Sequence, residues 1–600
     1  MNKNKVFDPA SNIKYTDRDF NSIKRSLIQH AKRYYPNTYN DFTKASFGSL
    51  VMDWTSYIGD VLSHYLDYNT NEMSYDTAIE IDNIVRNGRI FGYKTKTGYS
   101  SYGNTPFFLT IPAHATEFGP DTDYIPKLLR GSTCRSQSGS SFILMENIDY
   151  SSGAEVTVGT VDENSGSPLT YIYKKYGNVV SGKLTQQTEV IGDYAQFERV
   201  YLDELNATEI LSVIDLEGNE YYEVDSLSQN IIYRELTNME ANNPPSLLKP
   251  IVVARRFVVE RDVEGIYLQF GSGSDSVLSQ EVINNPQELV LQMTGRNYIS
   301  STSFDPTKLI QNDKFGIAPS NTTLIITYRT NEYENVNIAV GSLDTMSFAD
   351  LKFNDLTSLD VDLVDLIQGS VTVENEEQII GFIVTEDAAE LKVRIADMYK
   401  SQDRAVTPRD MKSLCYNMPA KFGAIRRVNV ANQPSIALKN ELNIYVISQD
   451  SEGYLTEANT QIKQNLKSWI SQYKMTGQSV NVVDAYIINL GFDFEIMIRQ
   501  GYDKYDTLIE AEELLADYYQ YLDEIGEDFL ISDIYAQLKE VEGILDTTRV
   551  QIKQIKGGDY SSTRFDLREM INANGRSIRV PKNCIISVRN PELDISGSVR

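Results

Sequence analysis

Arg404-Ala405-Val406-Thr407-Pro408-Arg409-Asp410-Met411 decides how the C-terminal part of this 600-residue chain is read. Thr407 is placed to cap a helix whose first position is Pro408, where a missing amide donor costs nothing and the ring presets the backbone. Asp410 then stands at the third helical position, beside the unpaired amides. Upstream, Thr385 is placed to cap a helix that carries Leu391, Ile395 and Met398 on one face and ends before Ser401-Gln402-Asp403. Helix, short turn, capped helix is the expected order.

Beyond that segment strands and helices alternate. Leu442, Ile444 and Val446 point one way from a strand, Ile462, Leu466, Trp469 and Ile470 stripe a helix, and Val480-Asn481-Val482-Val483 returns as a strand. In the next unit Phe492, Phe494, Ile496 and Ile498 alternate with Asp493, Glu495, Met497 and Arg499, which suits a sheet with one covered face. Helices are expected from about Thr507 and Ser532, the second ended by Gly543. Val550, Ile552 and Ile555 form a closing strand, giving a small two-layer α/β or ferredoxin-like domain.

Working back toward the N-terminus, the texture changes twice. Residues 101 to 384 show short alternating runs such as Phe107-Phe108-Leu109-Thr110-Ile111 and Ile251-Val252-Val253-Ala254, broken by Gly, Asn, Asp and Pro, and read as β-rich. Residues 1 to 100 read as helical. Phe20, Ile23, Leu27 and Ala31 follow a possible cap at Thr16, and Ser46 can cap a longer helix. A third helix is expected from near Asp76 to about Gly88. The fold class is therefore α+β and multidomain. Its expected divisions are 1–100 helical, 101–255 and 256–384 β-rich, 385–488 helical plus α/β, 489–556 ferredoxin-like, and 557–600 a C-terminal arm. No fixed-period repeat is visible.

The formal net charge of −27 argues against a nucleic-acid surface, because backbone phosphates would be repelled. Lys14, Arg18, Lys24, Arg25, Lys32 and Arg33 make the start locally basic, but Asp17 and Asp19 interrupt them and the spacing suits a solvated helix face. Cys134, Cys415 and Cys584 lie far apart, without metal-ligand spacing or a disulfide framework. No apolar run approaches the ~20 residues of a membrane span and no signal-peptide pattern opens the chain, so a soluble, unexported protein is expected.

Chemistry finds little footing. The three histidines, His30, His64 and His114, fall in the first fifth of the chain, and no Gly-x-Ser-x-Gly pattern accompanies them. Carboxylate pairs such as Asp203 with Glu204 and Asp360 with Asp362 read as acidic surface. Gly271-Ser272-Gly273 is followed by no Gly-Lys-Ser/Thr, so a turn between strands is expected there rather than a phosphate cradle. The chain is read as no enzyme, with no cofactor, metal or small-molecule substrate.

The Ala-containing helix followed by Arg-Ala-Val-Thr and the Asp-Met helix resembles the baseplate J family of contractile-tailed phages. Tyr267-Leu268-Gln269-Phe270-Gly271-Ser272-Gly273 looks like a second segment of that family. Thr327-Tyr328-Arg329, with Asn335-Val336-Asn337 and Val340-Gly341, looks like the next. Tyr222-Glu223-Val224 with Leu227 and Gln229-Asn230 is similar to a narrower subgroup, the large baseplate wedge proteins of T-even-like phages. Between about Ser140 and Ala207 and after Gly557 no motif matches. The resemblance implies a non-catalytic wedge subunit of the virion tail baseplate, assembled in the host cytoplasm. It would bind a second copy of itself, other wedge proteins and tail hub or sheath-initiating proteins, and would help transmit the signal for sheath contraction. The alternatives are a host-surface glycan-binding tail protein, or the equivalent subunit of a non-phage contractile injection system.

Two sets of residues are singled out for that role. Leu50, Trp54, Ile58, Val61 and Tyr65, continued by Tyr68, form an apolar stripe at helical period. It is either the core of its own helical domain or a seam for another subunit, and the resemblance implies self-association there. Gly98, Gly103 and Thr385 are candidate hinges.

Overall fold

The computed structural model describes residues 19–35, 41–43, 46–94, 99–114, 119–162, 167–237, 246–262, 265–274, 315–331, 335–356, 359–383, 388–432, 441–520, 524–572 and 574–600. The fold is α+β and multidomain. The chain divides into two compact units, one of residues 1–95 with 385–400 and a larger one of 96–384 with 401–600.

The smaller unit is helical. Helix α1 (Phe20–Tyr34) starts after Asp19, and the expected cap Thr16 lies outside the described residues. Helix α2 (Phe47–Glu72) starts as its sequence predicts, with Ser46 Oγ accepting from the Ser49 amide at 3.1 Å. The two helices meet where α2 is small: a Cβ on Gly59 would sit 3.1 Å from Ile23 Cδ1. Lys24 and Asp53 form an ion pair at 2.5 Å. Helix α3 (Ile81–Ile90) begins later than Asp76, because the Glu72 carboxylate accepts from the Ile79 amide at 2.8 Å and from Asn83 Nδ2 at 2.9 Å and so holds the preceding residues as a turn. Helix α4 (Ala388–Ser401) packs on α3 through Leu391 and Ile395 against Ala78, Ile84 and Tyr93. A Cβ on Gly88 would lie 2.7 Å from Ile395 Cδ1, so this glycine permits close approach rather than ending α3.

The larger unit opens with two seven-stranded sheets. In the first, β1 (Tyr102–Pro112) pairs antiparallel with β2 (Thr170–Ser181) from Tyr102↔Val180 to Pro112↔Thr170. Phe107, Leu109 and Ile111 face a core with Phe142, Leu144 and Val179. The chain changes sheet at Gly182, whose φ of +133° suits glycine and whose Cβ would lie 2.8 Å from the Thr330 carbonyl oxygen. Strand β3 (Lys183–Ile191) then lies beside β5 (Thr322–Thr330), which lies beside β4 (Ala207–Asp215) in the second sheet. Val213, Phe257, Leu268, Phe270, Leu324 and Ile326 form its core. Among the described residues an α-helix, Val361–Gly369, interrupts the β-rich part, and Asp360 caps it by accepting from the Asp362 amide at 3.0 Å.

Two α/β layers follow. Helix α5 (Pro408–Tyr416) carries the expected capping box: the Asp410 amide donates to Thr407 Oγ1 at 3.2 Å, and the Thr407 amide to Asp410 Oδ2 at 2.9 Å. Strands β6 (Arg427–Asn432) and β7 (Glu441–Gln449) pair antiparallel, and helix α6 (Thr460–Ser471) crosses over to β8 (Ser479–Asp484), parallel to β7. Strand β9 (Tyr486–Ile498) follows after Ala485 alone, so the division expected at 488 falls inside a strand. The Ala485 amide donates to the Val446 carbonyl in one sheet, and the Tyr486 amide to the Asn583 carbonyl beside the next. Helices α7 (Lys504–Gln520) and α8 (Ile531–Glu540) lead to β10 (Ile544–Gln554), antiparallel to β9. Two successive helices between the first two long strands differ from the ferredoxin-like βαββαβ order.

The expected C-terminal arm is corrected. Strands β11 (Cys584–Ser587) and β12 (Ile595–Val599) run parallel to β9 on its other edge. Ile578, Val580, Ile586, Val588 and Ile595 are buried with Phe492 and Phe494. The physical reason is the long edge of β9, whose backbone groups need partners and whose apolar face needs cover.

Candidate functional site

Helix α2 turns polar residues inward. Its buried positions are Ser49, Ser56 and Glu72. Ser56 Oγ donates to the Met52 carbonyl at 2.7 Å, closing its polarity within the helix. The large apolar side chains face out: Leu50 is 48% exposed, Trp54 68%, Ile58 56% and Tyr65 59%, while Val61 is half-buried. The stripe seen in the sequence is therefore not the core of its own unit. Phe47, Val51, Tyr57, Leu62 and Leu66, which the stripe did not include, are exposed as well, so α2 is apolar on more than one face. Its sequence held that signal in Phe47, Val51, Tyr57, Leu62 and Leu66, apolar residues that lie off the stripe. Exposed apolar area of this extent marks interaction surfaces in folded proteins.

Of the candidate hinges, Gly98 and Thr385 lie outside the described residues. Gly103 is no pivot. It is buried inside β1, paired with Val179, and a Cβ there would lie 2.6 Å from Ile379 Cγ1. Its glycine serves close approach of a neighbouring side chain.

The remaining chemistry-bearing residues serve local structure. His30 packs on Tyr34 with ring centres 4.6 Å apart, and both His30 and His64 are exposed on helices. Asp360 caps a helix, and Asp203 and Glu204 are exposed. Among the described residues no three His, Cys, Asp or Glu side chains gather as a metal site would require, and no helix is long and apolar enough to cross a membrane. All three cysteines are buried and free. Burial pushes the Cys134 thiol up to about 12 and that of Cys584 up to about 11.

A polar cleft of about 530 Å³ is lined by Glu377, Tyr454, Lys463 and Arg589 among others. Its charges already hold the fold together. Glu377 accepts from Thr460 Oγ1 at 3.1 Å, Lys463 pairs with Asp484 at 2.5 Å, and the Arg589 guanidinium lies 4.6 Å from the Tyr454 ring centre.

The motif glycine Gly271 sits where two backbones nearly touch, with a Cβ only 2.1 Å from the Gly316 carbonyl oxygen. The Gly273 amide donates to that carbonyl at 2.8 Å, so the segment binds its own chain. In the Tyr222–Asn230 stretch, the Leu227 carbonyl accepts from Arg256 Nε at 2.8 Å, and the Asn230 carbonyl from the Val253 amide at 2.9 Å.

No protein-family model matches the chain, and no curated protein matches it. Among solved structures it is similar to a chain of the anti-feeding prophage (AFP) baseplate, determined by cryo-EM with 6-fold symmetry. The identity is 9%, the likeness covers 96% of this chain and 100% of that one, and the TM-score is 0.26.

Proposed function

We propose that this chain is a structural subunit of a contractile-tail baseplate, of the wedge type. It acts by assembly rather than catalysis. Its partners are a second copy of itself, other wedge proteins, and hub or sheath-initiating proteins. The observation that carries the assembly reading is the outward apolar surface of α2, with Trp54 68% exposed in a chain of net charge −27. The baseplate reading is supported by the ordered motifs around Tyr222, Gly271, Arg329 and Thr407. In this role the chain works as two bodies. The chain passes between its compact units after residues 95, 384 and 400, and the first two of these points neighbour the candidate hinges Gly98 and Thr385. Rotation there would convert a contact made by one body into a displacement of the other.

The test is the solution mass of the full chain by light scattering, beside a Trp54→Glu/Tyr65→Glu variant, each over a concentration series. A wild type larger than a monomer that falls to monomer in the variant, with an unchanged melting temperature, is expected. A variant that keeps the wild-type mass overturns α2 as the surface. A wild-type monomer that attaches to host cells by itself overturns the wedge reading.

A further inference from the structure

Among the described residues of the motif stretch from Arg329 to Asn337, the side chains of Arg329, Asn331, Asn335 and Asn337 each donate to the backbone or side chain of a distant segment. Arg329 is 1% exposed. Its Nη1 donates to Ser100 Oγ at 2.8 Å and to the Ser181 carbonyl at 2.6 Å, and its Nη2 pairs with Glu209 at 3.1 Å. Asn331 Nδ2 donates to the Tyr99 carbonyl at 2.7 Å and to Ser181 Oγ at 2.9 Å. Asn335 Nδ2 donates to the carbonyls of Asp450 at 3.0 Å and Ser451 at 2.8 Å. Asn337 uses both ends of its amide. Its Oδ1 accepts from Ser101 Oγ at 2.6 Å and from the Phe382 amide at 3.0 Å, while its Nδ2 donates to the carbonyls of Phe382 at 3.0 Å and Gln449 at 2.9 Å.

We propose that these side chains form a clamp that locks residues 99–102 to residues 380–383, making one anchor of the stretches beside two of the three crossings to the smaller unit, those after residues 95 and 384. The two stretches are already neighbours. The Tyr102 amide donates to the Ile380 carbonyl at 2.8 Å, and a Cβ on Gly381, whose φ is +134°, would lie 2.8 Å from the Ser100 carbonyl oxygen. Tyr99, Ile383 and Ala424 close over them as a small apolar cluster. Asn459, the cap of α6, donates to the Tyr102 carbonyl from the C-terminal side.

Apolar packing alone would hold the two stretches together and let them slide. Directional hydrogen bonds to buried carbonyls fix their register, and leaving those carbonyls unpaired is costly. The same clamp ties the pair to β2 through Ser181, to β4 through Glu209 and to β7 through Gln449. A load arriving by the connection after residue 95 or by that after residue 384 is thereby shared among three sheets. The clamp does not depend on membership of a baseplate, because it consists only of bonds within this chain.

Hydrogen exchange of the full chain, read by mass spectrometry, tests it with Asn337→Ala and Ser101→Ala. Asn429→Ala is the control, since Asn429 makes the same kind of bonds to the carbonyls of Ile525 and Lys582. Asn337→Ala should speed exchange about tenfold or more in both 99–103 and 380–383, leaving α6 protected. Ser101→Ala should do so less strongly at the same two places, and Asn429→Ala at neither. Faster exchange at only one stretch, equal acceleration everywhere, or wild-type protection at both overturns the clamp. If Asn337→Ala fails to fold, the Ser101→Ala pattern decides by the same criteria.

Discussion

Gly271 and Thr407 belong to the two best-defined motifs, and their substitution should differ in kind. Gly271→Ala sets a methyl 2.1 Å from a carbonyl oxygen and must part the Gly273–Gly316 bridge, so a loss of at least about 2 kcal/mol is expected in urea unfolding. Thr407→Ala removes one side-chain cap and should cost about 1 kcal/mol by the same measurement. Burial pushes Tyr102 from 10.0 up to about 12 and Cys134 from 9.0 up to about 12. Because the folded values are raised, the neutral forms contribute their full stability below about pH 9, and that contribution is lost as pH rises from there through about 12. The urea midpoint should therefore fall steadily across that alkaline range, and a thiol reagent at about pH 8 should find all three cysteines unreactive until the chain unfolds. A native protein that reacts promptly contradicts their burial. The Thr407 box was legible in the sequence because its partners lie three residues apart. The work of Asn337 was not, since Phe382 and Gln449 are 45 and 112 residues away.

Periodicity identifies the face of an element but not what that face meets. The α2 stripe through Leu50, Trp54, Ile58 and Tyr65 was legible as a stripe, yet the side turned to α1 is the one with Gly59, because Ile23 needs a recess. Gly59→Leu should overpack that contact and destabilise the smaller unit by about 1–3 kcal/mol, seen as helical signal lost earlier on heating. Similar recovery of the wild-type melt would mean that the two helices do not rest on each other there. The C-terminal strands show the opposite limit. Runs of four and five residues, Cys584–Ser587 and Ile595–Val599, are too short to announce themselves, and their partner β9 lies about a hundred residues earlier. The long alternation of β9 itself was plain.

For the whole molecule, charge and apolar surface pull in opposite directions. A net charge of −27 makes copies repel, so if α2 is the proposed self-association surface, raising salt from about 0.05 to 0.5 M should tighten self-association by screening the repulsion. Weakening by salt, measured as mass against concentration, would assign the association to ion pairs instead. If the chain is the proposed baseplate subunit and its two compact units act as bodies, maps before and after contraction should differ by rotation after residues 95, 384 and 400, and equal orientations would reject that motion. The C-terminal sheets, by contrast, share one thread: β8 and β9 are separated by Ala485 alone. Side chains alternate sides along a strand, so the two sheets are locked in parity. One residue inserted at this point would turn either Val480 or Phe492 to the wrong side, and only even-numbered insertions preserve both faces. Surface loops in a lineage of such proteins are free to lengthen by any count, whereas this thread counts in twos.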